Sequence, residues 1–183
     1  MGMTVNAYRL GILTGILAGV ILVIIFLKYS KKDGSLRCKW DERQLLIRGN
    51  GFKYAFFTVL VLLFLYCSLG VSFEGFPLDV QAAGFLIAIL GVAVDVVYCI
   101  WNGAYFSLNE NRKRVLIGFA LIGGFNLFIG VSGILHGASI TNGVLNVRSA
   151  NLFCGALFIV IFLTLFLRMA VPEKDGEEEE TGE

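Results

Sequence analysis

The sequence predicts an all-α polytopic membrane helix bundle of five transmembrane helices, with the N-terminus outside and the C-terminus inside. Three observations predict it. First, hydrophobic residues make up 57% of the 183 residues and charged residues only 16%, against roughly 45–50% and about 25% in soluble domains, and the mean hydropathy is +0.79. A soluble fold of this length leaves too much surface wet to hide that apolar area. Second, five stretches approach the ~20 apolar residues that cross about 30 Å of hydrocarbon. Third, thirteen of the fifteen Lys and Arg residues fall in segments that only an odd number of spans places on one side. The composition excludes a soluble enzyme, a disordered chain and a disulfide-stapled secreted module.

The first span covers residues 10–27. Only Arg9 precedes it, whereas Lys28, Lys31 and Lys32 follow, and no small-residue cleavage site closes it. A secretory signal has the opposite flanks, so this reads as a retained span. The others are expected at residues 54–73, 83–106, 115–135 and 151–167. Together they make one membrane domain over residues 1–171. The basic loop at residues 28–53 carries eight Lys and Arg, the segment between spans three and four carries Arg112, Lys113 and Arg114, and Arg168 and Lys174 follow span five. Cytoplasmic loops hold the excess of bases, which sets the orientation. Residues 172–183 form an acidic tail without aromatics, expected to be disordered because it has no apolar area to offset its ordering. On the outer side, Asn142-Gly143 between Ile140 and Leu145 is a two-residue hairpin signal.

Span one carries Gly11, Gly15 and Gly19 on one helical face. Such a face lets another backbone approach closely. Packing within the chain is the plainer use, with the glycine-rich span four as mate and central helix; a homo-oligomer seam is the alternative. Asp95 lies near the middle of span three. An acid there costs about 2.5–3.5 kcal/mol on the lenient insertion scale, so it is expected to face the bundle. Asn102 shares its helical face, and Asn126 on span four lies at matching depth, so an Asp95–Asn126 hydrogen bond is the expected pairing. Interhelical glue is the plainer role; a proton or cation site is the sharper one.

In the first loop, Asp41 is suited to cap a short helix ending near Ile47, with Gly49-Asn50-Gly51 marking a turn before span two. Trp40, Leu45, Leu46 and Phe52 suit the membrane interface. The run Asp41-Glu42-Arg43-Gln44, followed by Arg48-Gly49 and Phe52-Lys53-Tyr54-Ala55-Phe56, resembles small uncharacterised bacterial membrane proteins that carry a D-E-R-Q motif just before an apolar span, several of them encoded near helix-turn-helix regulators. The resemblance covers residues 38–70. It implies a bacterial membrane location and assigns no catalytic role.

Cys38, Cys67, Cys99 and Cys154 form no C-x-x-C pair, and His136 is the one histidine. No metal-ligand spacing, phosphate-binding loop, nucleophile elbow or paired-carboxylate motif occurs, so neither enzyme activity nor a metal or cofactor is expected. The function that fits is a non-enzymatic accessory, sensor or regulatory partner in the bacterial cytoplasmic membrane, working through its basic loop. Its partners are the lipid bilayer, a membrane or cytoplasmic protein, or a second copy of itself, with no nucleic acid. A small transporter or channel component using Asp95 is the alternative.

Overall fold

The computed structural model of the protein describes residues 2–72 and 77–170; the acidic tail at 172–183 lies outside the described residues. Over the described residues the chain is an all-α bundle of five helices, each long and apolar enough to cross a membrane. They are α1 (Gly2–Ser30), α2 (Glu42–Ser72), α3 (Val80–Trp101), α4 (Arg112–Leu135) and α5 (Ala150–Ala170). Between α4 and α5 stand two short strands, β1 (Ile140–Thr141) and β2 (Val144–Leu145), and a 3₁₀ turn at Val147–Ser149.

Helices α3 and α4 begin where side chains satisfy their orphan amides. Asp79 accepts from the Ala82 N–H at 2.6 Å and Asn111 from the Arg114 N–H at 3.3 Å, as N-caps do. Helix α3 stops at Asn102-Gly103. Gly103 takes a φ of +70°, a left-handed conformation that glycine adopts without a Cβ clash, and so turns the chain into the next loop. At the opposite end, β1 and β2 pair antiparallel, with Ile140 opposite Leu145 and Thr141 opposite Val144. Asn142 (φ 53°) and Gly143 (φ 78°) form the connecting turn, the doubly left-handed geometry that makes Asn-Gly a hairpin signal.

Helix α3 packs between α2 and α5, α5 also carries α4, and α4 carries α1. The core joins Val96 and Ile100 of α3 to Ile161 of α5, with Phe119 of α4 and Phe158 packed on them. Helix α4 is therefore a flank of the bundle, not its centre as expected. Its glycines do bring helices together. A Cβ on Gly130 would lie 2.6 Å from the Leu152 nitrogen of α5, and one on Gly123 would lie 2.7 Å from the Phe158 Cβ.

Two further expectations fail. The first is the turn at Gly49-Asn50-Gly51, which α2 passes through as continuous helix. Gly51 serves a different purpose: a Cβ there would collide with the Asp95 carboxylate and approach the Cys99 sulfur within 3.2 Å. The glycine lets α2 and α3 touch. With 31 residues at 1.5 Å each, α2 is about 46 Å long. It therefore outruns the ~30 Å hydrocarbon layer, and its first turns extend past it. The second failure is the intramolecular glycine face of α1. Cβ atoms on Gly11, Gly15 and Gly19 would meet nothing within 4 Å. Helix α1 meets α4 near its other end, where the Phe26 ring lies over Gly118 and 6.4 Å from that of Phe119. A glycine stripe permits approach but offers little apolar area of its own, so the phenylalanine contact decides where the helices cross. Gly15→Leu is accordingly expected to change the monomer's stability by less than about 0.5 kcal/mol, measured by unfolding in detergent; a larger loss would place that face against protein.

Candidate functional site

One end of the bundle gathers the C-terminal ends of α1, α3 and α5 with the N-terminal ends of α2 and α4. Here the linkers 31–41 and 102–111 fold onto each other as a single cap. The backbone sets the register: the Lys32 N–H donates to the Asn109 carbonyl at 2.8 Å, the Leu108 N–H to the Lys39 carbonyl at 2.9 Å, and the Asn111 N–H to the Ser30 carbonyl at 2.8 Å.

Lys31 is the keystone. Its side chain is fully buried. Its ammonium donates to Glu110 Oε1 at 3.1 Å, to Ser107 Oγ at 3.3 Å and to Cys38 Sγ at 2.7 Å. The second Glu110 oxygen accepts from the Ser107 N–H at 2.9 Å. Burial by itself lowers the pKa of this ammonium, but the hydrogen bonds to Cys38 and Glu110 and the charge of Glu110 outweigh it and hold the pKa above its ordinary 10.5. Asn109 is the second organiser. Its amide nitrogen donates to both Asp33 oxygens at 3.1 and 3.2 Å and to the Arg37 carbonyl at 2.9 Å, and its amide oxygen accepts from the Lys39 N–H and Ser107 Oγ. The ammonium of Lys39 beside Asp33, at 3.0 Å, holds that carboxyl below its usual range.

The D-E-R-Q motif belongs to this cap. Asp41 Oδ1 accepts from the Gln44 N–H at 2.6 Å while the Gln44 side-chain oxygen accepts from the Asp41 N–H at 3.4 Å, a reciprocal capping box. The amide nitrogen of the buried Gln44 then donates to the carbonyls of Gly103 and Phe106 in the second linker. Arg48 follows it, one turn on, reaching the Ala104 carbonyl and stacking 4.1 Å from the Trp40 ring. Asp41 and Gln44 thus close the cap from within, whereas Glu42 and Arg43 face outward. Sequence reasoning missed Lys31, Ser107, Asn109 and Glu110. The signal that points to them is the polar run Ser107-Leu108-Asn109-Glu110-Asn111 in a linker assigned to the same side as the basic one.

The expected polar site of Asp95, Asn126 and Asn102 does not assemble. The Asn126 amide donates to the Ile122 carbonyl of its own helix at 2.8 Å. Asn102 caps the end of α3 and donates to the Tyr98 carbonyl at 2.8 Å. Asp95 accepts from the Cys99 thiol at 3.5 Å and lies against Gly51. The cause is the packing order: α3 turns Asp95 toward α2 and its Val96–Ile100 side toward α5, away from Asn126. Asp95 also stands six residues before Trp101, where α3 ends, about 9 Å along the axis, and so lies about 7 Å to the cap side of the helix's middle. Asp95→Asn keeps the shape and an acceptor and is expected to cost less than about 0.5 kcal/mol. Asp95→Leu is expected to cost about 1–2 kcal/mol by crowding Gly51. Reversible unfolding in detergent distinguishes the two, and equal losses would show that the carboxylate charge matters.

The four cysteines are free thiols, and the described residues contain no group of three or more His, Cys, Asp or Glu side chains suited to hold a metal. Comparison of the chain with protein-family models, with curated proteins and with solved structures returns no match.

Proposed function

We propose that the protein is a non-enzymatic integral membrane protein that serves as an accessory, sensor or regulatory interaction partner and works through the basic cap. The observation that carries this reading is the buried network around Lys31 and Asn109. A linker that only joins two spans does not need a fully buried, hydrogen-bonded lysine; a surface held in one conformation does, because preordering removes entropy lost on binding. The cap displays Lys32, Arg37, Lys39 and Arg43 to solvent together with exposed Leu36 and Leu108, a mixture suited to an acidic protein segment at the membrane surface. The bias of Lys and Arg toward this end supports a cytoplasmic cap, N-out and C-in, and the resemblance of the D-E-R-Q region supports a bacterial cell membrane.

Orientation is tested with C-terminal fusions. Green fluorescent protein is expected to be bright and alkaline phosphatase silent; the reverse pattern would remove the cap from the cytoplasm. Function is tested by purification in mild detergent. A partner should co-purify with the native chain and be lost when Arg37→Glu and Arg43→Glu are combined, two exposed changes that leave the buried network intact. The rival reading is a transporter using Asp95. Proton flux in liposomes that depends on Asp95, with no charge-dependent partner, would put that reading in its place.

A further inference from the structure

A cleft of about 660 Å³ opens between the cap-side ends of α3, α4 and α5. Its lower walls are apolar, with Leu116, Phe162 and Phe166 among them, and its rim carries Arg112, Lys113 and Arg168. Arg112 and Lys113 also line an adjoining, more polar hollow of about 520 Å³ beneath the cap, together with Lys32. The combined shape is amphipathic in the sense of a lipid, with hydrocarbon-like walls at the depth of the helices and cations at their ends. We propose that this cleft binds one anionic phospholipid, its phosphate on Arg112 and Lys113 and an acyl chain along Leu116, Phe162 and Phe166.

Two further facts support an anionic occupant. Helix α4 opens with Arg112-Lys113-Arg114 and has no acid in its first turn, although the positive end of a helix disfavours cations. A phosphate at that place offsets the conflict, since it receives both the side-chain charges and the dipole. Arg114 is already turned away, donating to the Tyr29 carbonyl at 3.1 Å. The acid nearest the rim, Glu110, is engaged with Lys31, and among the described residues no carboxylate forms an ion pair with Arg112 or Lys113. The apolar walls favour a lipid over a soluble phosphate, and basic pockets between membrane helices are suited to anionic headgroups.

The test is native mass spectrometry and thermal unfolding of the full chain in a non-ionic detergent. The probes are phosphatidylglycerol, phosphatidylcholine with the same acyl chains, and soluble glycerol phosphate. Phosphatidylglycerol is expected to be retained and to raise the unfolding temperature, with little effect from the other two. The combined Arg112→Ala and Lys113→Ala changes should weaken its retention by about tenfold or more, given roughly a fivefold effect per lost base at a membrane surface. The swap Arg112→Lys with Lys113→Arg should preserve it. Leu116→Trp, which fills the apolar part without altering charge, should weaken it as well. Equal retention of the two lipids, undiminished phosphatidylglycerol binding by the double alanine variant, or equal protection by glycerol phosphate would overturn the proposal.

Discussion

Lys31→Met is expected to destabilise the protein by about 3 kcal/mol, the largest single effect among these substitutions. Methionine keeps the length and the apolar stem, so the loss is electrostatic. It leaves Glu110, whose side chain is only 14% exposed, with the Ser107 N–H but no countercharge, and breaking a buried pair from one side costs roughly 3–5 kcal/mol. Adding Glu110→Gln should recover part of the loss, since the stranded charge is then gone. The pair also has a pH signature. The Lys31 pKa is raised on folding, so its contribution is fully present below about pH 10.5 and declines as pH rises through the higher folded value. The native chain should therefore lose stability in that alkaline range beyond any loss shown by Lys31→Met. Parallel unfolding curves in detergent for the two proteins across that range would contradict this role for the ammonium.

Gly130→Val is expected to cost about 2 kcal/mol. A Cβ at Gly130 lies 2.6 Å from the Leu152 nitrogen and 2.7 Å from its Cα. These are backbone atoms, so relief requires α4 and α5 to separate, and overpacking of this kind costs roughly 1–3 kcal/mol. The better helix propensity of valine returns only a few tenths. At Gly118 the obstacle is the far end of the Phe26 ring, which is able to swing, so Gly118→Val should cost less. Unfolding in a graded mixture of mild and denaturing detergent orders the two; if Gly118→Val is the more damaging, the α1–α4 contact is tighter than the α4–α5 seam.

The spans and the hairpin between α4 and α5 are legible in the sequence because their causes are local. A run of apolar residues long enough for the bilayer needs no knowledge of its neighbours, and Asn142-Gly143 reports its own backbone preference. The true start of α2 was obscured by its composition. Residues 42–53 contain Glu42, Arg43, Arg48, Lys53 and two glycines, which read as a loop on hydropathy, although the helix simply continues beyond the membrane. The Asp41 cap was visible. The reach of Gln44 to Gly103 and Phe106 was not, because it joins residues about sixty positions apart.

Glycine placement illustrates the same limit. Gly15 and Gly130 look alike in sequence, yet one meets open space and the other the backbone of Leu152. A glycine marks where close approach is allowed; the bulky residue that takes the opportunity lies elsewhere in the chain. Lys31 was hidden for a related reason. It counted as one of many loop bases, and only the folding of Ser107–Glu110 over it turns a topological charge into a buried anchor. Asp95 meets Gly51 and Cys99, and because Asn102-Gly103 ends α3 before Phe106, its carboxyl lies about 7 Å to the cap side of the helix's middle and not at it.

Hydrogen exchange of the two linkers tests the cap most directly. The amides of Lys32, Lys39, Leu108 and Asn111 all donate to partners across the cap. In native protein held in a nanodisc, peptides covering 31–41 and 103–111 should exchange far more slowly than an unstructured chain. Asn109→Ala should release both peptides together, since that side chain bonds to Asp33, Arg37 and Lys39 at once. Exchange of both linkers at the unstructured rate in the native protein, or release of one without the other in the variant, would contradict a single folded cap.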